Sequence, residues 1–266
     1  MTDVTIHWAG PADAASASTY KVERTLDNVS WTTLAAAQAA TSPYVSVSST
    51  LNGNHAYGAA TVSVTSATSF ATSGYAWLDD ALIEWAGKSS NDLTGVTWHS
   101  GYGTYATGTA VYVAHESYAD TGISITLNAV LYRITHTNAA GEVSAPTYLW
   151  YYSPPTPASA DHCVVIVNVM TDLGFEARDG VYVDVYLTTD TDFATTAGGH
   201  LDAEQSTAKR QTTNAFGLAF FQCWRSAARA VNTAYTFLLD ASSADSLEKS
   251  VATIPERDWV MLVDLL

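Results

Sequence analysis

Residues 117–146 read SYADTGISITLNAVLYRITHTNAAGEVSAP, and this stretch decides the fold. Tyr132, Ile134 and His136 alternate with Arg133, Thr135 and Thr137, the period-2 pattern of a strand with one face buried. Asn138-Ala-Ala-Gly141 supplies turn chemistry, and Ser144-Ala-Pro146 closes the excursion. A strand, a tight turn and a proline exit need partner strands to cover the apolar face. Those partners lie far upstream. Val4, Ile6 and Trp8 alternate in VTIHW, Pro11-Ala-Asp13 breaks that strand, and Tyr20 and Val22 alternate in TYKVERT. Asp27-Asn28 then turns the chain into a third strand, Ser30-Trp31-Thr32-Thr33-Leu34. Turn signals every 8–12 residues or so point to a sandwich. AAAQAAT, residues 35–41, holds helix formers but is too short for a stable helix alone.

Composition agrees with this plan. Of 266 residues, 47% are hydrophobic and 14% charged, which favours a folded chain over a disordered one. Eleven Lys+Arg against 26 Asp+Glu give a net charge of −15. Residues 1–156 carry 4 basic and 11 acidic side chains, and residues 157–266 carry 7 and 15, so the acidity is no tail. Such a surface disfavours a phosphate backbone, so no nucleic-acid partner is expected. Cys163 and Cys223 sit in apolar strand-like runs. They read as buried free thiols, Cys packing as a small hydrophobe, or as partners facing each other; two cysteines imply no disulfide framework. MTDVTIHW has no basic segment followed by an apolar one, so no signal peptide is expected. No apolar run approaches the roughly 18 residues of a membrane span, so no membrane insertion is expected.

VTIHWAGPADA, TYKVERTLDNVSWTTLA, SYADTG and LYRITHTNAAGEVSAP together resemble a fibronectin type III domain. The resemblance implies a core of Trp8, Tyr20, Val22, Trp31, Tyr132 and Ile134, with Trp8 the core tryptophan and Tyr132 the tyrosine ahead of the turn. About seventy residues separate Leu34 from Ser117 where the family has a few, which implies an inserted module; surface loops tolerate insertions at low entropic cost. The insert has its own rhythm: Val62 and Val64 alternate, YAWLDDALIEWAG follows, then LTGVTW and TGTAVYV. It resembles a small β-barrel-like repeat of bacteriophage tail and fibre proteins, through Leu78-Asp79-Asp80-Ala81-Leu82-Ile83-Glu84-Trp85 and Leu93-Thr94-Gly95-Val96-Thr97. Where that repeat has Arg, this chain has Trp98.

Three prolines within residues 153–157 make a semi-rigid spacer. The last segment opens on the apolar run CVVIVNVM, suited to a buried strand. The alternation of Val181, Val183, Val185 and Leu187, the turn Thr213-Asn214-Ala215-Phe216-Gly217 and Ile254-Pro255 resemble carboxypeptidase-regulatory-like or transthyretin-like sandwiches. The expected class is all-β: two immunoglobulin/fibronectin-like sandwiches in tandem, the first interrupted by a small barrel-like domain. The domains are 1–42 with 115–153, the insert 43–114, a linker 154–158, and 159–266.

Several residue patterns that could carry chemistry lack a part that the chemistry needs. His115-Glu116 lacks the second histidine of a helical zinc pair. Gly101-Tyr-Gly103 leads into a strand, where a dinucleotide fingerprint needs a helix N-terminus. Asp190, Asp192 and Asp202 read as a solvated loop and not as a calcium ring. Asp79, Asp80 and Glu84 read as turn or strand-edge acids and not as a catalytic pair. The seven histidines, His7, His55, His99, His115, His136, His162 and His200, are scattered. The chain is expected to be no enzyme and to need no cofactor or metal. Trp98, Tyr102 and Tyr105, in a glycine-rich loop, are the candidate surface aromatics. TYLWYY, residues 147–152, is either a second cluster or a strand packed on both faces.

The combined resemblance implies a non-enzymatic structural component of a bacteriophage virion: a tail, baseplate or fibre protein serving assembly and host attachment. Alternatives are a capsid decoration protein and a glycan-binding accessory module. Its expected partners are other virion proteins, further copies of itself and a host-surface glycan, and its expected location is the virion.

Overall fold

The computed structural model describes residues 2–10, 19–40, 47–101, 103–169, 179–187, 210–225, 235–239, 247–251 and 253–265. Among these, every regular element is a strand apart from the short 3₁₀ turn Leu262–Leu265. The chain is all-β. It divides into two compact units, one of residues 1–25, 31–125 and 131–151, the other of 26–30, 126–130 and 152–266.

In the first unit, Thr2–Trp8 pairs antiparallel with Glu116–Ile123, Ile6 opposite Tyr118 and Trp8 opposite Glu116. Over a hundred residues of chain separate these partners. A second sheet runs in the order Thr147–Tyr152, Ala129–Thr137, Thr19–Thr25, Thr32–Ala39. Val22 lies opposite Ile134 and Tyr20 opposite His136. The inward set, Val4, Ile6, Trp8, Tyr20, Val22, Tyr132 and Ile134, is buried, and Trp8 meets Tyr20 edge-on at 5.4 Å between the two sheets. The alanine-rich stretch after Leu34 is strand, pairing with Thr19–Thr25 through two register shifts. Trp31 differs from its expected core position: it is half-buried under the Arg133 guanidinium, 4.2 Å from the ring centre.

Residues 47–113 build a second core within this unit. A five-stranded sheet runs Thr97–Trp98, Ala81–Trp85, Gly74–Leu78, Ala110–Val113, Ser48–Thr50. A three-stranded sheet runs Thr61–Ser63, Asp92–Thr94, Gly87–Ser89, and Thr104–Tyr105 pairs with His55–Ala56. They enclose Leu51, Val62, Val64, Phe70, Leu78, Ile83, Trp85, Leu93 and Val111. The described strands form separate sheets around that core, so the barrel-like closure expected of the insert is not made. Gly74 lies opposite Trp85, and a Cβ there would sit 3.0 Å from the indole, so the ring covers the gap the glycine leaves.

The second unit is another two-sheet sandwich. One sheet runs Leu218–Trp224, His162–Asn168, Trp259–Met261; the other runs Arg210–Thr212, Tyr182–Leu187, Tyr235–Leu239, Leu247–Val251. His162–Asn168 is buried along nearly its whole length, as a central strand covered on both faces must be. Phe221 meets Phe237 edge-on at 5.9 Å across the core. Cys163 lies opposite Cys223; both are buried, and burial pushes the Cys163 thiol up to about 12.

Candidate functional site

The glycine-rich loop does not display its aromatics in the expected way. Tyr105 is buried, and its hydroxyl donates to Asp80 Oδ1 at 3.0 Å. Gly101, at φ +92°, turns the chain so tightly that a Cβ there would sit 2.1 Å from the Tyr105 hydroxyl and 2.6 Å from the Ala81 methyl. The loop thereby folds back, and Thr104–Tyr105 pairs with His55–Ala56, laying the ring on the core. Trp98 is half-buried against the same core, and its Nε1 donates to the Ala59 carbonyl at 2.9 Å. Its ring stacks on Tyr105 at 5.5 Å and 25° and meets half-buried Tyr57 at 5.5 Å and 54°. Tyr102 lies outside the described residues. Within this described cluster, Tyr57 and Trp98 stay partly exposed while Tyr105 is buried.

Asp79 and Asp80 form the turn of the hairpin joining Gly74–Leu78 to Ala81–Trp85, with Asp79 at φ +55°. Asp is among the residues that tolerate this left-handed position, which accounts for an acid there without any reaction. Asp190, Asp192 and Asp202 lie outside the described residues. Among the described residues no three His, Cys, Asp or Glu side chains come together as a metal set.

A second cluster lies on the outer face of the four-stranded sheet. Arg133 donates to Glu23 through Nε at 2.9 Å and Nη2 at 2.7 Å, and Lys21 reaches the other Glu23 oxygen at 2.7 Å. Burial alone would raise the Glu23 carboxyl, but hydrogen bonds from Lys21 and Arg133 hold it below the usual carboxylate range. Trp31 lies under the Arg133 guanidinium, and Tyr148, an exposed tyrosine, meets Trp31 at 6.2 Å. Trp, Tyr and Arg together are the composition of interface hot spots. The sequence signals for this cluster were the alternation that sets Arg133 on the face away from Tyr132 and Ile134, and the aromatic run TYLWYY.

Behind that face, the two sheets are tied through their cores. Arg24 Nη1 lies 2.6 and 2.7 Å from the two Asp120 oxygens, and the Tyr132 hydroxyl donates to Asp120 Oδ2 at 3.0 Å. Burial first, then the Asp120 charge, drives the Tyr132 phenol strongly upward, and burial with the nearby Glu116 pushes Tyr20 up to about 12. Both phenols stay protonated.

The third cluster joins the inserted module to the sandwich. Trp77 Nε1 donates to the His7 carbonyl at 3.1 Å, filling an acceptor of the Thr2–Trp8 strand. The His7 ring stacks on Tyr75 at 3.9 Å and 18°. His99 lies 5.8 Å from the Tyr75 ring, and its Nε2 is 3.1 Å from Glu84 Oε2.

No family model and no curated protein matches the chain. Among solved structures, the major pilin subunit BcpA of Bacillus cereus aligns over 97% of this chain and 62% of its own length, at 11% identity and a TM-score of 0.25. Domains D2 and D3 of the major pilin SpaD of Corynebacterium diphtheriae align over 93% of this chain and 82% of their own, at 12% identity and a TM-score of 0.22. The chain thus spans about three fifths of the BcpA structure it aligns with. At these scores the likeness carries no argument, and the fold rests on the strand order itself.

Proposed function

We propose that this chain is a non-enzymatic structural subunit of a bacteriophage virion, in the tail, baseplate or fibre, that assembles through its sandwiches and presents the inserted module. The observation that carries this reading is how the module is held. It enters and leaves through the sandwich at two chain crossings, and the Trp77 hydrogen bond and the Tyr75–His7 stack fix it against the first strand. A domain tethered at two points and clamped at a third keeps one orientation, which suits presentation.

The outer face bearing Trp31, Arg133 and Tyr148 supports an assembly role, because it combines large rigid rings with a guanidinium already oriented by Glu23. Its partners in this reading are other virion proteins or further copies of the chain. A host-surface glycan would meet the module at Tyr57 and Trp98, since Tyr105 is spent on the core.

Quantitative mass spectrometry of purified particles tests the proposal. The expected result is a fixed copy number per particle that is a multiple of a particle symmetry. A chain present in infected-cell lysate yet missing from particles would end the virion reading.

A further inference from the structure

The junction between module and sandwich contains more titratable chemistry than a passive contact needs. Neutral imidazole stacks well on a phenol, and His7 does so almost flat, at 3.9 Å and 18°. The titratable groups facing it are Tyr75 from Gly74–Leu78, Glu84 from Ala81–Trp85, and His99 just beyond Thr97–Trp98. Glu84 is the single acid among them, and His99 already sits against it at 3.1 Å. Two bases thus face one acid. The same few residues carry the Trp77–His7 hydrogen bond, so a disturbance of the ring is felt by the backbone contact of the clamp.

We propose that this junction is an acid-sensitive clasp: protonation of His7 beside His99 loosens the hold of the inserted module on the sandwich. Burial, and then the neighbouring His99, hold the His7 ring below its ordinary value of 6.5, with Glu84 opposing them. The closed junction prefers the neutral ring, so opening takes up a proton. The hold is complete above pH 6.5 and is lost as the pH falls below it toward the depressed value of the closed state. For one histidine that protonates freely only when the junction is open, passing from pH 7.5 to 5.5 costs up to about tenfold in protection.

Hydrogen exchange of the intact chain reads this directly. Protection of Thr2–Trp8 and Gly74–Leu78 is compared at pH 7.5 and 5.5, corrected for intrinsic exchange, with His162–Asn168 as internal reference. The clasp predicts a severalfold to tenfold loss at pH 5.5 in those two segments, unchanged reference protection, and a pH-independent junction in His7→Phe, which keeps a ring on Tyr75. Equal protection at both pH values, or an undiminished pH response in His7→Phe, overturns the proposal. An NMR titration of the histidines in the unaltered chain decides independently of whether the variant folds: a His7 midpoint below 6.5 supports the clasp, and one at or above 6.5 refutes it.

Discussion

Replacing Asp120 with Leu should be among the most damaging single changes in the first unit. Asp120 is 5% exposed, and the Arg24 side chain it holds is 20% exposed. Removing the carboxylate leaves a mostly buried guanidinium without its counter-charge, a change that costs about 3–5 kcal/mol. The Tyr132 hydroxyl also loses its acceptor, worth about 1–3 kcal/mol when a buried donor is stranded. The two losses share one desolvated pocket and do not sum fully, so the expected total is about 4–6 kcal/mol. Domains commonly hold about 5–15 kcal/mol in all, so Asp120→Leu should leave the sandwich largely unfolded or barely stable. Tyr132→Phe, which leaves the ion pair intact, should cost about 1.5–3 kcal/mol. The informative variant is Arg24→Met with Asp120→Leu. With both charges gone and apolar groups in their place, stability should return to within about 2 kcal/mol of the parent. The chain has two compact units, so one global melting curve would mix their transitions. Hydrogen-exchange protection of Glu116–Ile123 and Ala129–Thr137 reports the right unit. A loss under about 1 kcal/mol in Asp120→Leu, or a double variant as unstable as the sum of its parts, would refute the reasoning.

Three further outcomes are expected. Gly101→Ala forces a methyl into the Tyr105 hydroxyl and Ala81 and places Ala at φ +92°, so it should destabilise the module by about 3 kcal/mol or more, read as lost protection in Ala81–Trp85; a neutral change would mean the loop is not packed in this way. Glu23 is held below its ordinary 4.5, so it contributes stability above that pH that is lost as the pH falls through its folded value; acid titration of Arg133→Met should show a shallower loss below pH 4.5, and an unchanged slope would remove Arg133 from the account. Replacing residues 43–114 by a short Gly-Ser turn should leave a folded sandwich, because Gln38 Nε2 already donates to the Ser117 carbonyl and the Tyr118 hydroxyl to the Leu34 carbonyl, bringing the cut ends together; NMR amide dispersion checks it, and a collapsed spectrum counts against it.

The all-β class and the long-range pairing were legible because alternation is a local property of the chain. Val4, Ile6 and Trp8 read as one face of a strand before any partner is known. Alternation does not say which face is the core when both carry large side chains. Ser30-Trp31-Thr32-Thr33-Leu34 shows the difficulty: Trp31 shares its parity with Thr33, whose hydroxyl reaches outward to Glu23, so the tryptophan meets Arg133 and not the core. That the insert stays as separate sheets and does not close into a barrel was not legible, because closure depends on registers between strands distant in sequence. Tyr105 misled through its neighbours. Glycines suggested an open loop unable to bury rings, whereas the positive φ of Gly101 folds the loop back and buries that ring. The clasp carries no local pattern, since His7 and Tyr75 meet only through the tertiary fold.

The central claim, a structural subunit that presents a clamped module, is tested most directly by cryo-electron microscopy of intact particles at a resolution that traces strands. The account predicts ordered, symmetry-related copies at a tail, baseplate or fibre position, with residues 47–113 directed outward and Trp31, Arg133 and Tyr148 against a neighbouring subunit. Particles whose density leaves no place for the chain, or copies with the inserted module buried inside the assembly, would contradict it.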